Sequence, residues 1–232
     1  MKNVKRMNFY KFPLISTNFH KSQWVFLFIL FCSLNCSRKG TEAELGPEEE
    51  FKLGMERYEQ KDYDKSADRF KRIVFRFPGS KWTEEAQYRL AKSHFFCKDY
   101  SAAKIEYEFF INSYPRSRFT DDAAFEAAVS GFYESMPYYL DPSSTKTTLQ
   151  EFQLFIKRYS DSELVDSAKV YAQKCVDKLV RKDLETAKLY IKMGKYTSAV
   201  LYLKDIQNNY PDNSYRDEIA NLLTKYENLI TP

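Results

Sequence analysis

Histidine is almost missing from this chain: His20 and His94 are the only two among 232 residues. Imidazole-based triads and zinc-type ligand sets need more than that, so catalysis or metal binding of those kinds is not expected. His20 falls in a basic N-terminal segment. His94 lies inside a predicted helix beside Phe95 and Phe96, where a structural role is expected. Glycine is scarce as well, at six residues, and none of them builds a phosphate-cradling loop. With only eight prolines, the composition argues against disorder and against an all-β fold. Neither Cys97 nor Cys175 sits in a Cys-x-x-Cys pattern. They read as buried free thiols, with a disulfide between them as the other reading. Charge of one sign is lacking too. The formal +4 becomes −1 once Lys2, Lys5, Arg6, Lys11 and Lys21 of the acid-free residues 1–35 are set aside. A near-neutral body has no electrostatic case for nucleic acid.

What the chain has in abundance is rings, 18 tyrosines and 19 phenylalanines, and they recur in order. Phe77-Pro78-Gly79-Ser80 returns as Tyr114-Pro115-Arg116-Ser117, more loosely as Tyr159-Ser160-Asp161-Ser162, and again as Tyr210-Pro211-Asp212-Asn213. Each copy reads as a helix stop followed by a helix start. Proline cannot continue a helix, Ser80, Ser117, Ser162 and Asn213 are favoured N-caps, and the acids behind them (Glu84 and Glu85, Asp121 and Asp122) suit the positive end of a helix dipole. Such acid pairs at repeated helix starts point to this duty rather than to acid–base chemistry. Tyr63, Tyr100 and Tyr196 each stand fifteen residues before a proline, and Gly54, Ala91 and Ala187 nine residues before those tyrosines. The arrangement resembles the tetratricopeptide repeat. The expected fold is all-α, a tetratricopeptide-like helical-repeat superhelix of about nine helices. They are predicted at 48–60, 64–77, 81–97, 100–113, 118–135, 145–159, 162–193, 196–209 and 213–229.

Residues 1–35 read as a lipoprotein signal peptide. The basic region leads into the apolar run Trp24 to Leu34, which suits a signal core but is too short to span a bilayer. Ser33-Leu34-Asn35-Cys36 resembles a lipobox, with the leucine one place from its usual position, and implies lipidation at Cys36. An uncleaved anchor and ordinary cleavage nearby are the other readings. Residues 36–47 form a flexible tether, and 48–230 the repeat domain. Pro47 with Glu48, Glu49 and Glu50 makes a good first helical turn. The third unit is longer by a segment from Met136 to Ser144, read as a loop that is either a contact site or a tolerated insertion.

Aromatics fall at matched positions of successive first helices: Phe51, Tyr88 and Phe125, then Tyr58, Phe95 and Phe132. These six are the candidate peptide-binding face. The same rings could equally be plain inter-helix core.

Taken in order, these features resemble the BamD family, the lipoprotein of the β-barrel assembly machinery. Besides the joints, Leu140-Asp141-Pro142 followed by Phe152-Gln153-Leu154-Phe155-Ile156-Lys157-Arg158-Tyr159 carries the likeness to its third repeat, and Ala187-Lys188-Leu189-Tyr190 with Gly194-Lys195-Tyr196 to its fourth. The resemblance implies a non-enzymatic periplasmic scaffold without cofactors, lipid-anchored in the outer membrane. Its implied partners are the β-barrel insertase and unfolded outer-membrane proteins. Ser160 departs from the family's usual proline, and the nine predicted helices fall one short of five pairs. Another envelope repeat lipoprotein, serving cell-wall or pilus assembly, is the alternative.

Overall fold

The computed structural model describes residues 45–230, so the expected signal peptide, Cys36 and the expected tether up to residue 44 lie outside the described residues. Nine helices and no strand occur among the described residues: α1 Pro47–Glu59, α2 Tyr63–Arg76, α3 Thr83–Phe96, α4 Tyr100–Ser113, α5 Thr120–Glu134, α6 Ser143–Arg158, α7 Val165–Lys192, α8 Tyr196–Asn209 and α9 Arg216–Ile230. Each packs on its neighbours in sequence, and α5 also reaches α7. The result is the all-α, tetratricopeptide-like repeat, in which α1, α3, α5, α7 and α9 are first helices and the even-numbered ones their partners.

The joints repeat in detail. The even helices end at Phe77, Tyr114, Tyr159 and Tyr210, all with φ between −118° and −138°, and each ring residue's N–H donates to the carbonyl four residues back. The serines behind them do not cap the helices proper. Ser80, Ser117 and Ser162 accept the amide two residues on, at Trp82, Phe119 and Leu164, and Asn213 accepts that of Tyr215. This closes a tight turn ahead of the first helical residue. Thr83 and Thr120 then donate back to the carbonyls of Phe77 and Tyr114, at 2.6 Å and 2.9 Å. Val165 stands at that place in the third joint and has no hydroxyl to do so.

The acids of the first turns do more than meet a dipole. Ser117 donates to Glu84 at 2.5 Å, and Ser162 donates to Asp121 at 2.8 Å, so each joint is latched to the preceding first helix. In the fourth joint, Asp177 accepts from both the amide and the hydroxyl of Ser214. Glu50, also expected to serve a dipole, is 1% exposed and held by Arg69 at 3.1 Å and Arg72 at 3.5 Å.

The turn inside each pair uses the left-handed region at one register position: Lys61, Lys98 and Gly194 have φ of 60°, 63° and 71°. Only the last is the residue type that region favours. The small residues sit where helix pairs meet. A Cβ on Gly54 would lie 2.8 Å from the Phe70 ring, and Ser66 donates to the Gly54 carbonyl at 3.0 Å. In the same register, Ala91 shares a core with Tyr107, Ala128 with Phe152 and Ala187 with Leu203.

The long helix expected after Ser162 is present. α7 has 28 residues, and its first half lies in one core with Leu149, Phe152 and Phe155 of α6. Its second half lies in another with Val200, Leu203 and Ile206 of α8. The third-unit loop is fastened to it. Lys178 donates to the carbonyl and hydroxyl of Ser135, Lys182 donates to the Leu140 carbonyl at 2.7 Å, and the Arg181 guanidinium stands 4.2 Å from the Tyr138 ring centre.

Candidate functional site

The six matched aromatics divide into two sets. At the first position, the ring turns toward its own partner helix and the following joint. Phe51 meets Phe70 and Trp82, and Tyr88 meets Tyr107, Phe110 and Phe119, the last stacked at 4.7 Å. Both are buried, at 9% and 5% exposure, so they form core rather than a surface a peptide could reach. Phe125 is half-buried against Phe152, Phe155 and Tyr171 of α7, because the third joint offers Leu164 where the others offer a ring.

At the second position, Tyr58, Phe95 and Phe132 stay half-buried and belong to a continuous line of rings. Tyr58 meets Phe96, Phe96 meets Phe95, Phe95 meets Tyr133, and Tyr133 meets Phe132, which meets Tyr171, each at 5.3 Å to 6.0 Å between centres. The neighbouring residues Phe96 and Tyr133 are the exposed members, at 42% and 49%. Each stacks on the tyrosine that opens a second helix: Phe96 on Tyr63 at 4.9 Å and Tyr133 on Tyr100 at 5.1 Å. Tyr226 stacks on Tyr196 in the same way, at 5.2 Å. Matched spacing alone misses Phe96 and Tyr133. The signal for them is their place one residue after Phe95 and Phe132, where the helix turns a ring from core to solvent.

Charged groups share this first-helix surface. Arg89 lies 5.7 Å from the Tyr58 ring centre and pairs with Glu85 at 3.2 Å, and Lys92 stands 5.7 Å from that of Tyr88. Opposite them on α5 are Asp122 and Glu126. Burial raises the Glu126 carboxyl above its ordinary range; Lys92 opposes the shift and Asp122 adds to it. Asp122 is raised by burial and then by Asp121, with Lys92 again opposing. Burial pushes the Tyr58 hydroxyl up to about 12, and the bond to Tyr133 together with burial does the same to Tyr171. The Tyr107 hydroxyl, buried beneath, has no hydrogen-bond partner. Helices α1, α3, α5 and α7 thus bring rings, cations including Arg89, Lys92 and Lys174, and the carboxyls of Asp122 and Glu126 to one surface. Such a set can bind an extended chain through stacking and hydrogen bonds.

The thiols are suited to packing. Cys175 is fully buried, as expected, and burial pushes it up to about 12. Cys97 differs from expectation in being only partly buried. Burial and the Asp64 carboxylate that accepts its hydrogen bond hold it near 12. Both are free thiols, far from the thiolate form a nucleophile needs. His94 lies 3.9 Å from Asp99 at the end of α3. Among the described residues, no group of three or more histidines, cysteines, aspartates or glutamates could hold a metal ion, and no helix is long and apolar enough to cross a membrane.

A family described as YfiO, outer membrane lipoprotein, matches residues 44–231. No curated protein matches the chain. Among solved structures, a thermophilic TPR protein from Thermus thermophilus is similar at 16% identity and a TM-score of 0.39, over 79% of this chain and 98% of that one.

Proposed function

Since the chain belongs to the YfiO family of outer membrane lipoproteins, we propose that it is a non-enzymatic periplasmic scaffold of the machinery that assembles and inserts outer-membrane β-barrel proteins. In this reading Cys36 carries the lipid that holds it to the outer membrane. A lipid anchor stabilises attachment by about 0.8 kcal/mol per buried methylene, and more than one chain is needed to make it durable. The barrel insertase is the standing partner, and unfolded barrel proteins are the passing ones.

The observation that carries the proposal is the surface shared by Tyr58, Arg89, Lys92, Glu126 and Tyr171. It gathers stackable rings and both signs of charge from four successive first helices, with no nucleophile–base pair among them. Unfolded barrel segments alternate apolar and polar side chains, with aromatic residues near their ends, and rings beside charges of both signs suit such a pattern.

The test is purification of the tagged protein in mild detergent, followed by mass spectrometry of its stable partners. A large β-barrel protein with periplasmic repeat domains is the expected companion. Recovery of cell-wall or pilus components alone would replace this reading with that of another envelope scaffold.

A further inference from the structure

The first unit departs from the later ones at the end where the described chain begins. Glu50, in the first turn of α1, meets Arg72 of α2, and Phe51 meets Trp82 of the first joint at 4.7 Å. The start of α1, the last turn of α2 and the first joint therefore share one end of the unit. Phe75 projects from that last turn and is 70% exposed. It stands two residues before the joint's ring residue, Phe77. The same place before Tyr114, Tyr159 and Tyr210 holds Asn112, Lys157 and Asn208, so the repeat itself does not call for a ring there.

Cations accompany the ring. The Lys71 ammonium stands 5.9 Å from the Phe75 ring centre, and that of Lys81 stands 5.0 Å from the Trp82 ring centre, with both lysines exposed. In the same register the second unit has Glu108 and Arg118, the third Gln153 and Glu163, and the fourth Lys204 and Ser214. Two lysines together with an exposed ring are thus a property of the first unit, not of the repeat. Glu48, Glu49 and Asp68 are exposed nearby, so the pattern is not a plain positive field. It is that of an interfacial site, where a ring enters the acyl boundary and ammonium groups stay at the level of the phosphates. The interfacial layer is about 5–8 Å deep on each side of a bilayer, which matches the spacing between ammonium and ring.

We propose that the last turn of α2 and the first joint form a seat on a phospholipid surface, in which Phe75 inserts among the upper acyl chains while Lys71 and Lys81 meet lipid phosphates. This rests on the reading of Cys36 as the lipid-bearing residue. The chain from Cys36 to Leu45 reaches at most about 32 Å in any conformation. Helices pack about 8–10 Å apart, so the lipid lies within about three helix widths of α1. The first unit is the part of the array held at the membrane, and it is the part that carries the ring and its lysines. A lipid surface is favoured over a partner protein because the feature stands on the unit nearest the anchor and is missing from the same register of the later units. The seat uses none of the residues of the ring-lined first-helix surface and leaves that surface to its own ligands.

The test places benzoylphenylalanine, a photo-reactive ring, at Phe75 of the full-length protein, and separately at Asn112 and Asn208. Each protein is purified from cells, reconstituted in vesicles of phosphatidylethanolamine and phosphatidylglycerol, floated, irradiated and analysed by mass spectrometry. Phospholipid adducts should form at position 75 about tenfold or more above the yield at 112 or 208, as expected for burial of one ring. Lys71→Glu with Lys81→Glu should lower the yield at 75 by about fivefold or more, with flotation and thermal unfolding unchanged. Protein that floats with equal yields at all three positions, or whose yield at 75 survives the charge reversal, overturns the seat and leaves the anchor at Cys36 standing. Protein that does not float overturns the anchor and the seat with it. In cells, position 75 should again be joined to lipid; a polypeptide joined there in its place would overturn the proposal.

Discussion

Glu126 is the residue on which the first-helix surface turns. It lies within electrostatic reach of Tyr58, Tyr88, Tyr107 and Tyr171, and its carboxyl is raised by burial against the opposing pull of Lys92. A carboxyl whose native pKa exceeds its unfolded value binds its proton more tightly when folded. Its ionised form therefore subtracts from stability at neutral pH, and the loss is recovered as pH falls through the native value toward the ordinary glutamate range. Glu126→Gln should raise the urea midpoint at pH 7 and flatten the difference between pH 7 and pH 5. A variant with the same midpoint and the same slope as the natural protein would show that water reaches this carboxyl freely. No sequence pattern marks Glu126. It follows Phe125 by one residue, and its significance arises only when four helices from different units converge on it.

At the scale of helices and joints, much was legible, because the signals are local. Proline stops, small residues at pair contacts and the unbroken stretch before Met193 are written within single segments, and all nine helices of the described residues lie where periodicity puts them, within a few positions. The serines differ from expectation in closing the turn rather than capping the helix, since a hydroxyl in either place has the same local sequence. The latch between Ser117 and Glu84 joins residues 33 apart, and no local signal reports such a pair. The aromatic face was half legible: spacing selects rings that share a helix face, but whether that face meets core or solvent depends on the neighbouring joint, as Trp82 and Phe119 decide for Phe51 and Tyr88. The latch makes a measurable statement. Ser117→Ala and Glu84→Gln should each destabilise the protein by about 1 kcal/mol, and the double variant by less than their sum, because both remove the same charge-assisted bond. Additive losses in denaturant titrations would mean that the two residues act independently.

The described residues form a row of small cores rather than one large one. Among the described residues, four apolar clusters follow one another, and each is built mainly from neighbouring helices. Stability in such a row is a sum of local terms and nearest-neighbour couplings. Leu203→Ala, at a fully buried site, should cost about 2–5 kcal/mol. Hydrogen exchange should then speed up in α8, α9 and the second half of α7 while α1 to α4 keep their protection; uniform loss throughout would show a single cooperative unit instead. The row has one unequal member. α7 passes from the cluster containing Cys175 and Leu179 into the one beginning at Val180, so two cores meet on one continuous rod of about 42 Å. Elsewhere, adjoining cores share a short first helix, α3 or α5, with their residues interleaved or adjacent along it rather than set end to end on a long one. Under load the protein should behave as a spring with one stiff coil: bending gathers at the joints around Pro78 and Pro115, while a twist applied to α8 and α9 is carried undiminished along α7 to the third unit and the loop fastened against it.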